Sequence, residues 1–277
     1  MTNADAMDDA CREAAELISH ADSLLVTAGA GIGIDSGLPD FRGDNGFWQA
    51  YPALGKLGMR FYEIANPNAF LTMPEVAWGF YGHRLQLYRA TVPHEGFTQL
   101  LRLVRKMPNG CFVFTSNVDG QFQKAGFAAE RMVECHGSIH HLQCMNGCGR
   151  PPWPAEGFEP VVDTGNCRLL STLPSCPACG GLARPHILMF GDWDWDSRHA
   201  ERQQARLQTW LARAKRPVVI EIGAGTAIPT VRYFGEAAGC PLIRLNPMEC
   251  AVGMARDIGI PLGALEGITR ITGALLP

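Results

Sequence analysis

Several classes of protein are excluded by what the sequence lacks. No apolar run approaches the roughly eighteen residues that a membrane-spanning helix needs, and the amino-terminal stretch has acidic residues in place of the basic and apolar regions of a secretory signal. Low-complexity tracts and internal repeats are also missing, although the chain contains 31 Gly and 19 Pro. We therefore expect a soluble, cytoplasmic protein that has no membrane partner.

An excess of positive charge is missing as well. The chain contains 24 Lys and Arg against 27 Asp and Glu, which gives a formal net charge of −3. Because a protein that binds nucleic acid usually needs a basic face, we expect no nucleic-acid partner. With 277 residues, 47% of them hydrophobic, the chain can form one large core or a large domain with a smaller satellite.

The cysteines are arranged for metal binding rather than for disulfides. The chain has ten cysteines but is too long and too apolar to need covalent stapling. Two pairs, Cys144-x3-Cys148 and Cys176-x2-Cys179, lie 27 residues apart in a loop-rich stretch. This spacing predicts a closed four-thiolate zinc site with a structural role, the alternative being four unrelated buried thiols. The remaining cysteines and two nearby histidines are interpreted as packing or surface residues: Cys11, Cys111, Cys135, Cys167, Cys240, Cys250, His140 and His141.

Hydrophobic periodicity predicts alternating helices and strands. Apolar residues recur at helical spacing over residues 5–19, and the run at 23–27 has the length of a buried strand. Further short apolar runs separated by helical patterns lie at 111–115, 186–190, 217–222 and 241–245. Such alternation is typical of a doubly wound, Rossmann-like α/β fold with a parallel sheet.

Two stretches interrupt this alternation. Residues 45–92 are aromatic-rich with helical periodicity, and residues 140–183 are rich in Cys, Pro and Gly. We expect a helical insert and a zinc-binding insert that together form a small lobe. The Rossmann-like domain would then consist of residues 1–44, 93–139 and 184–277. Ligands of such folds bind at the carboxyl ends of the strands.

A glycine turn follows the first predicted strand and opens a longer motif. Glycines between a strand and a helix allow backbone N–H groups to approach a pyrophosphate. The run Gly29-Ala30-Gly31 continues to Pro39-Asp40-Phe41-Arg42, and ordered blocks follow: Thr115–Gly120, His136-Gly137-Ser138, Arg184–Asp192, Gly225-Thr226 and Asn246. This series, spread over residues 20–250, resembles the sirtuins, the NAD-dependent protein deacylases.

The resemblance implies an acylated protein or peptide substrate and two cofactors, NAD and a structural zinc ion. His136 would act as the base toward a ribose hydroxyl, while Asn117 and Asp119 would line the nicotinamide pocket. The residues that the resemblance implies in NAD binding are Gly29, Ala30, Gly31, Asp40, Phe41, Arg42, Ser116, Asn117, Asp119, Gly225, Thr226 and Asn246. Considered singly, Asn117 and Asp119 are also typical turn residues, Asp40 a helix cap, and His136 a core histidine.

The acyl and peptide sites are implied by the same resemblance. Tyr81 and Arg84, spaced for one helix face, are similar to a pair in sirtuins that prefer succinyl- and malonyl-lysine. Ala65 stands where the same sirtuins have a small residue that admits a longer acyl chain. A guanidinium fork suits a terminal carboxylate; the alternative is a half-buried tyrosine and an exposed arginine. The segment 188–192, with Leu188, Phe190 and Gly191, would present a strand edge to the substrate peptide.

Several positions depart from the sirtuin pattern. Ala28 replaces a threonine, Gly33 a serine, Ser116 a glutamine and Phe122 a histidine. Loss of the serine and glutamine side chains removes two polar contacts of about 1 kcal/mol each, so we expect NAD handling to be weaker by roughly tenfold or more.

Other functions compete with deacylation. The same fold could perform mono-ADP-ribosyl transfer or NAD hydrolysis, or bind NAD or ADP-ribose without catalysis. The run 221–226 is similar to the first motif of a methyltransferase, but only about fifty residues follow it, too few for that fold. The oligomeric state, the target protein and the preferred acyl chain are not indicated.

Overall fold

The structure, a computed structural model, describes residues 3–39 and 43–275. The α-helices in those ranges are α1 (Asn3–Ser19), α2 (Gly43–Ala50), α3 (Pro52–Lys56), α4 (Phe61–Ile64), α5 (Pro67–Thr72), α6 (Pro74–Ala90), α7 (Glu95–Val104), α8 (Gln121–Lys124), α9 (Arg198–Leu211), α10 (Thr230–Ala237) and α11 (Ala264–Ala274). The strands are β1 (Ser23–Ala28), β2 (Cys111–Thr115), β3 (Met132–Glu134), β4 (Gly137–Cys144), β5 (Trp153–Pro154), β6 (Val162–Asp163), β7 (Arg168–Leu169), β8 (Ala183–Ile187), β9 (Pro217–Ile222), β10 (Leu242–Leu245) and β11 (Ile258–Ile260).

Six strands form a parallel sheet in the order β11-β10-β9-β1-β2-β3. The chain first runs outward from β1 through β2 to β3, and later outward on the other side from β9 to β11. The order of the strands therefore reverses between β1 and β9, where ligands of such sheets bind. The predicted doubly wound α/β fold is confirmed. β3 and β11 were not predicted, because three residues are too few to show a periodicity.

Apolar side chains cover both faces of this sheet. On one face, α1, α7 and α11 pack against β1 and its neighbours through residues such as Ile18, Phe97 and Ile268. On the other face, α9 and α10 contribute Leu207 and Val231, and Phe114 stacks on Phe234 at 3.8 Å between ring centroids. All six residues of β1 are buried, as expected for a central strand covered on both sides.

A second hydrophobic core lies outside the parallel sheet. It joins aromatic residues of α2 and α6, such as Phe47 and Trp78, to Leu142 and Leu169 of the cysteine-rich stretch. The inserts predicted at 45–92 and 140–183 therefore share one core. The boundaries of the small lobe stay a prediction, which this shared core supports.

One predicted strand has different bounds from those expected and belongs to a different sheet. The run 186–190 was expected in the parallel sheet, but β8 ends at Ile187 and pairs antiparallel with β4 in a separate three-stranded sheet. An apolar run shows that a strand is buried without showing which sheet buries it. Among the described residues, no helix is long and apolar enough to cross a membrane.

Candidate active site

Two glycine-containing loops meet where the strand order reverses. The turn at Gly29–Gly31 follows β1, and the turn that begins at Gly223 follows β9. The backbone N–H of Gly29 donates to the Ile222 carbonyl at 3.0 Å, and that of Gly31 donates to the Gly223 carbonyl at 3.0 Å. The two loops are thus hydrogen-bonded to each other at the carboxyl ends of adjacent strands.

Close packing of these loops explains the glycines more directly than ligand contact does. A Cβ on Gly31 would lie 2.6 Å from the Gly223 Cα, and one on Gly29 would lie 2.8 Å from the Ala224 Cα. Ala30 and Gly225, in contrast, are exposed. These outward-facing backbone segments form the surface of this edge that a pyrophosphate can approach. Asp40, Phe41 and Arg42, predicted to bind NAD, lie outside the described residues.

The segment after β2 places its polar side chains against the first glycine turn. Asn117 donates from Nδ2 to the Gly29 carbonyl at 3.0 Å, and its backbone N–H donates to Thr115 Oγ1 at 3.0 Å. Ser116 is half-buried beside it, and its N–H donates to the Ala28 carbonyl at 3.3 Å. The Asn117 amide is therefore held in a fixed position.

Asp119 is a buried carboxyl group whose charge is disfavoured. Its side chain accepts a hydrogen bond from the Gln121 N–H at 2.9 Å. Burial raises the pKa of Asp119 to about 6, although the Gln121 N–H and the charge of Arg84 act in the opposite direction. Perturbed acids of this kind are concentrated at functional sites.

His136 follows β3, the neighbour of β2 in the sheet, and so lies at the same edge as Asn117. Burial lowers the pKa of His136, while a hydrogen bond with the Ser116 backbone raises it. The His136 carbonyl accepts from the Leu188 N–H at 2.9 Å. A half-buried, neutral imidazole is thus held between the β2 loop and the segment after β8.

Thr226 and Asn246, predicted to contact NAD, are both engaged within the protein. Glu249 accepts from the Thr226 N–H at 3.0 Å and from its hydroxyl at 2.6 Å. Asn246, 1% exposed, donates to the Ala224 carbonyl and accepts from the N–H groups of Met248 and Glu249. Asn246 therefore organises the loop from inside, and the Glu249 carboxylate occupies both side-chain and backbone donors of Thr226.

The predicted acyl-pocket pair lies in the second core. Tyr81 is 1% exposed and stacks on Phe70, while Arg84 is 8% exposed, which excludes the alternative of an exposed arginine. The Arg84 guanidinium lies 5.2 Å from the Phe80 ring centroid and 6.0 Å from that of Tyr81. Its Nε donates to the Tyr88 hydroxyl at 3.0 Å. Buried tyrosines thus surround a buried cation.

The predicted strand edge for the peptide is not present at 188–192. These residues follow β8 and lie outside any strand, because their N–H groups turn inward. Leu188 donates to His136, Phe190 donates to the Ala65 carbonyl at 2.9 Å, and Met189 donates to the Asp192 carboxylate at 3.3 Å. Gly191 adopts a positive φ of 65°. Ala65 is 4% exposed, so its methyl group is buried and only its carbonyl is seen to contact this segment.

The four predicted zinc ligands converge. The Sγ atoms of Cys144, Cys148, Cys176 and Cys179 all lie within 4.8 Å of one another, with Cys144 and Cys179 at 3.5 Å and Cys148 and Cys176 at 3.7 Å. A tetrahedral site with Zn–S bonds of about 2.3 Å has S···S edges of about 3.8 Å, so the thiols fit zinc. Within residues 3–39 and 43–275, no other group of histidine, cysteine and acidic side chains is arranged for a metal.

Comparison with known proteins identifies the family. The family model described as the Sir2 family matches residues 29–226, which contain the glycine turns, Asn117, His136 and the four cysteines. The chain belongs to the Sir2 family. The resemblance to sirtuins that the sequence motifs indicated is thereby confirmed.

Relatives of this Sir2 chain match nearly its whole length. An NAD-dependent protein deacylase of Aquifex aeolicus is 28% identical over 254 residues, covering 90% of this chain and 93% of that protein. One of Thermus thermophilus is 30% identical over 270 residues, covering 94% and 92%. A mutant Sir2 homologue solved with ADP-ribose shares the fold with a TM-score of 0.70 at 24% identity, covering 94% of each chain.

Sequence reasoning missed three polar residues of this Sir2 site. Tyr88, which holds Arg84, lies four residues after it on α6, and the helical spacing of the pair could have indicated the contact. Gln121 is 2% exposed, donates to the Tyr88 carbonyl at 3.3 Å, and its buried Oε1 has no hydrogen-bond partner among the described residues. No local sequence pattern could have indicated the contact of Glu249, because its partner Thr226 precedes it by 23 residues.

Proposed function

We propose that this Sir2 chain is an NAD-dependent protein-lysine deacylase that releases nicotinamide and transfers the acyl group to ADP-ribose. The names of the relatives from Aquifex aeolicus and Thermus thermophilus support this activity. The observation that carries it is the convergence of Asn117, Asp119 and His136 at the carboxyl ends of adjacent parallel strands.

His136 is the proposed base. Because burial lowers its pKa, the imidazole is neutral near pH 7 and can accept a proton from a ribose hydroxyl. Its hydrogen bond with the Ser116 backbone holds the ring, so the other nitrogen faces the substrate. Asn117 and Asp119 are proposed to orient the nicotinamide amide, and the segment 188–191 to bind the substrate backbone beside His136.

The NAD surface is proposed to consist of the two loops at the strand reversal. Ala30, Gly225 and Thr226 are its exposed members, and Gly29, Gly31, Ser116 and Asn246 support it from behind. Asp40, Phe41 and Arg42 stay predicted members. The Glu249 carboxylate repels a pyrophosphate, which adds to the weaker NAD handling expected from Ser116 and Gly33.

The four cysteines are proposed to bind a structural zinc ion. They lie at the end of β4 and in the loops that join β4 to β8, beside the second hydrophobic core. Four thiolates leave no open coordination position, so the metal stabilises the insert and takes no part in catalysis. Thiolate ligands require reducing conditions, which agrees with a proposed cytoplasmic location.

An acidic acyl group is the proposed preference. Arg84 is buried among Phe80, Tyr81 and Tyr88, so a succinyl or malonyl carboxylate would gain a strong charge-assisted interaction in surroundings of low polarity. The Tyr88 hydroxyl holds the guanidinium for this contact. Asp119, whose charge interacts with Arg84, belongs to the same buried network.

The decisive experiment measures nicotinamide release from NAD with acetyl-lysine, succinyl-lysine and unmodified lysine peptides. If the protein is a deacylase, nicotinamide release should depend on an acylated peptide. The His136→Ala variant should then form no deacylated product. Release without any acyl-peptide would instead indicate NAD hydrolysis or ADP-ribosyl transfer. Thermal stabilisation by NAD without any release would indicate a binding module.

Acyl preference is tested by Arg84→Met. Its kcat/KM for the succinyl peptide should fall about tenfold or more relative to that for the acetyl peptide, because a charge-assisted hydrogen bond contributes about 1.5–3 kcal/mol. Equal losses for both peptides would show that Arg84 serves only the structure. Tyr88→Phe, which keeps the ring but releases the guanidinium, should show the same selectivity change in smaller measure.

A further inference from the structure

A second concave surface lies at the opposite end of the parallel sheet. It is a groove of about 910 Å³ between the turn that joins α7 to β2, the turn before β3, and α9. The groove reaches Cys111 at the amino end of β2, whereas Asn117 lies beyond its carboxyl end. Five strand residues separate the ends, which is roughly 15 Å at about 3.3 Å per residue. A ligand in this groove would not obstruct the candidate active site.

Positive charge is concentrated on the rim of this groove. Its charged members are Arg105, Arg131, Arg206 and Arg213 against the single acid Glu130, in a chain whose net charge is −3. All four guanidinium groups belong to exposed residues. Among the described residues, none of them forms an ion pair with a carboxylate. Four neighbouring like charges repel one another unless an anion lies between them.

The floor of the groove is apolar. Leu101 and Met107 are half-buried there, and Pro108, Ala128 and Ala205 are exposed. A surface that tracks a phosphate backbone would instead present exposed aromatic rings for bases to stack on. Here the two aromatic side chains that line the groove are buried, with Phe127 5% and Trp210 8% exposed.

Hydrogen bonds between the walls make the groove a formed feature of the fold. Trp210 Nε1 on α9 donates to the Asn109 carbonyl in the opposite wall at 3.0 Å. Arg206 Nε donates to the Glu130 carbonyl at 3.1 Å, which joins α9 to the turn before β3. Asn109 is fixed in turn by Asp22, through a bond from its Nδ2 at 3.1 Å. The guanidinium groups are thus presented from anchored backbone.

We propose that this groove is a docking site for an acidic segment of a partner protein, in which carboxylates alternate with apolar side chains. The carboxylates pair with the rim arginines, and the apolar side chains cover the floor. Charge complementarity together with the apolar floor selects this occupant over a nucleic acid. The site lies apart from the catalytic edge, so it adds to affinity for the partner without changing the chemical step.

The test is fluorescence anisotropy with a labelled peptide of alternating glutamate and phenylalanine residues, titrated with the whole protein. Arg105→Glu/Arg213→Glu reverses one charge on each wall, at side chains with no hydrogen-bond partner among the described residues. The peptide's Kd should rise at least about tenfold. The matched control, Lys56→Glu/Arg168→Glu, makes the same change of net charge at exposed residues of the small lobe and should alter the Kd less than about twofold.

Three results would overturn the proposal. The first is an equal effect of both double variants, which would reduce the binding to net charge. The second is equal binding of a peptide with glutamine in place of glutamate. The third is tighter binding of a single-stranded DNA oligonucleotide than of the acidic peptide, which would make the groove a nucleic-acid surface.

Two controls separate binding from folding. Nicotinamide release with a short acyl-peptide should be unchanged in both double variants. If charge reversal impairs folding, Arg105→Gln/Arg213→Gln should reproduce the loss of peptide binding.

Discussion

Replacement of Asp119 by asparagine should make the protein more stable while it impairs the site. Asp119 is 9% exposed, and burial raises its pKa from 3.8 to about 6. Each pKa unit corresponds to about 1.4 kcal/mol, so an ionised Asp119 destabilises the native state by about 3 kcal/mol. Asp119→Asn removes this destabilisation but weakens the hydrogen bond from the Gln121 N–H, which contributes about 1 kcal/mol. The net gain at about pH 8 is therefore about 2 kcal/mol.

The pH dependence of this gain follows from the direction of the shift. The folded-state pKa of Asp119 lies above its unfolded value, so its stabilising contribution is fully present below the unfolded pKa and is lost as the pH rises through the folded pKa. The advantage of Asp119→Asn should therefore be absent near pH 4, grow between about pH 4 and pH 6, and stay constant above.

Urea unfolding of both proteins at about pH 4 and about pH 8 measures this difference. Asp194→Asn is the matched control, because Asp194 is exposed and the same substitution there should change stability by less than about 0.5 kcal/mol. Loss of stability in Asp119→Asn by the same amount at both pH values would refute the reasoning. Nicotinamide release should fall in the variant at every pH, since the carboxylate is proposed to orient the nicotinamide.

Three further predictions concern the base, the loops and the metal. Because burial lowers the pKa of His136, the acid limb of kcat/KM for deacylation should have its midpoint below the usual histidine value of about 6.5, and a midpoint above that value would contradict the proposed base. Gly31→Ala should destabilise the protein by about 1–3 kcal/mol in urea unfolding, since its Cβ would lie 2.6 Å from the Gly223 Cα, whereas Gly157→Ala, with no atom within 4 Å, should not. Cys176→Ser should abolish stoichiometric zinc in metal analysis and lower the Tm, and Cys250→Ser should retain the metal; full zinc content in the first variant would exclude the four-thiolate site.

The sequence by itself determined the features that depend on local patterning. The buried run at 23–27, the glycines after it and the paired cysteines each carry their signal within a few residues, because strand periodicity, turn geometry and ligand spacing are local properties. The ordered motifs from Gly29 to Asn246 were sufficient to indicate the Sir2 family. The helical period of 45–92 likewise predicted a helical insert, although not its division into the five helices α2–α6.

Tertiary structure alone decided which polar groups meet. β8 was expected in the parallel sheet, yet it pairs with β4, since burial of an apolar run does not specify its partner. The contact of Thr226 with Glu249 and the convergence of Arg105 and Arg213 arise from segments that are distant in the chain. Charge pairing acts through space and leaves no periodicity in the sequence, so only the folded chain shows that the Glu249 carboxylate contacts the loop after β9 and that arginines lie around a groove.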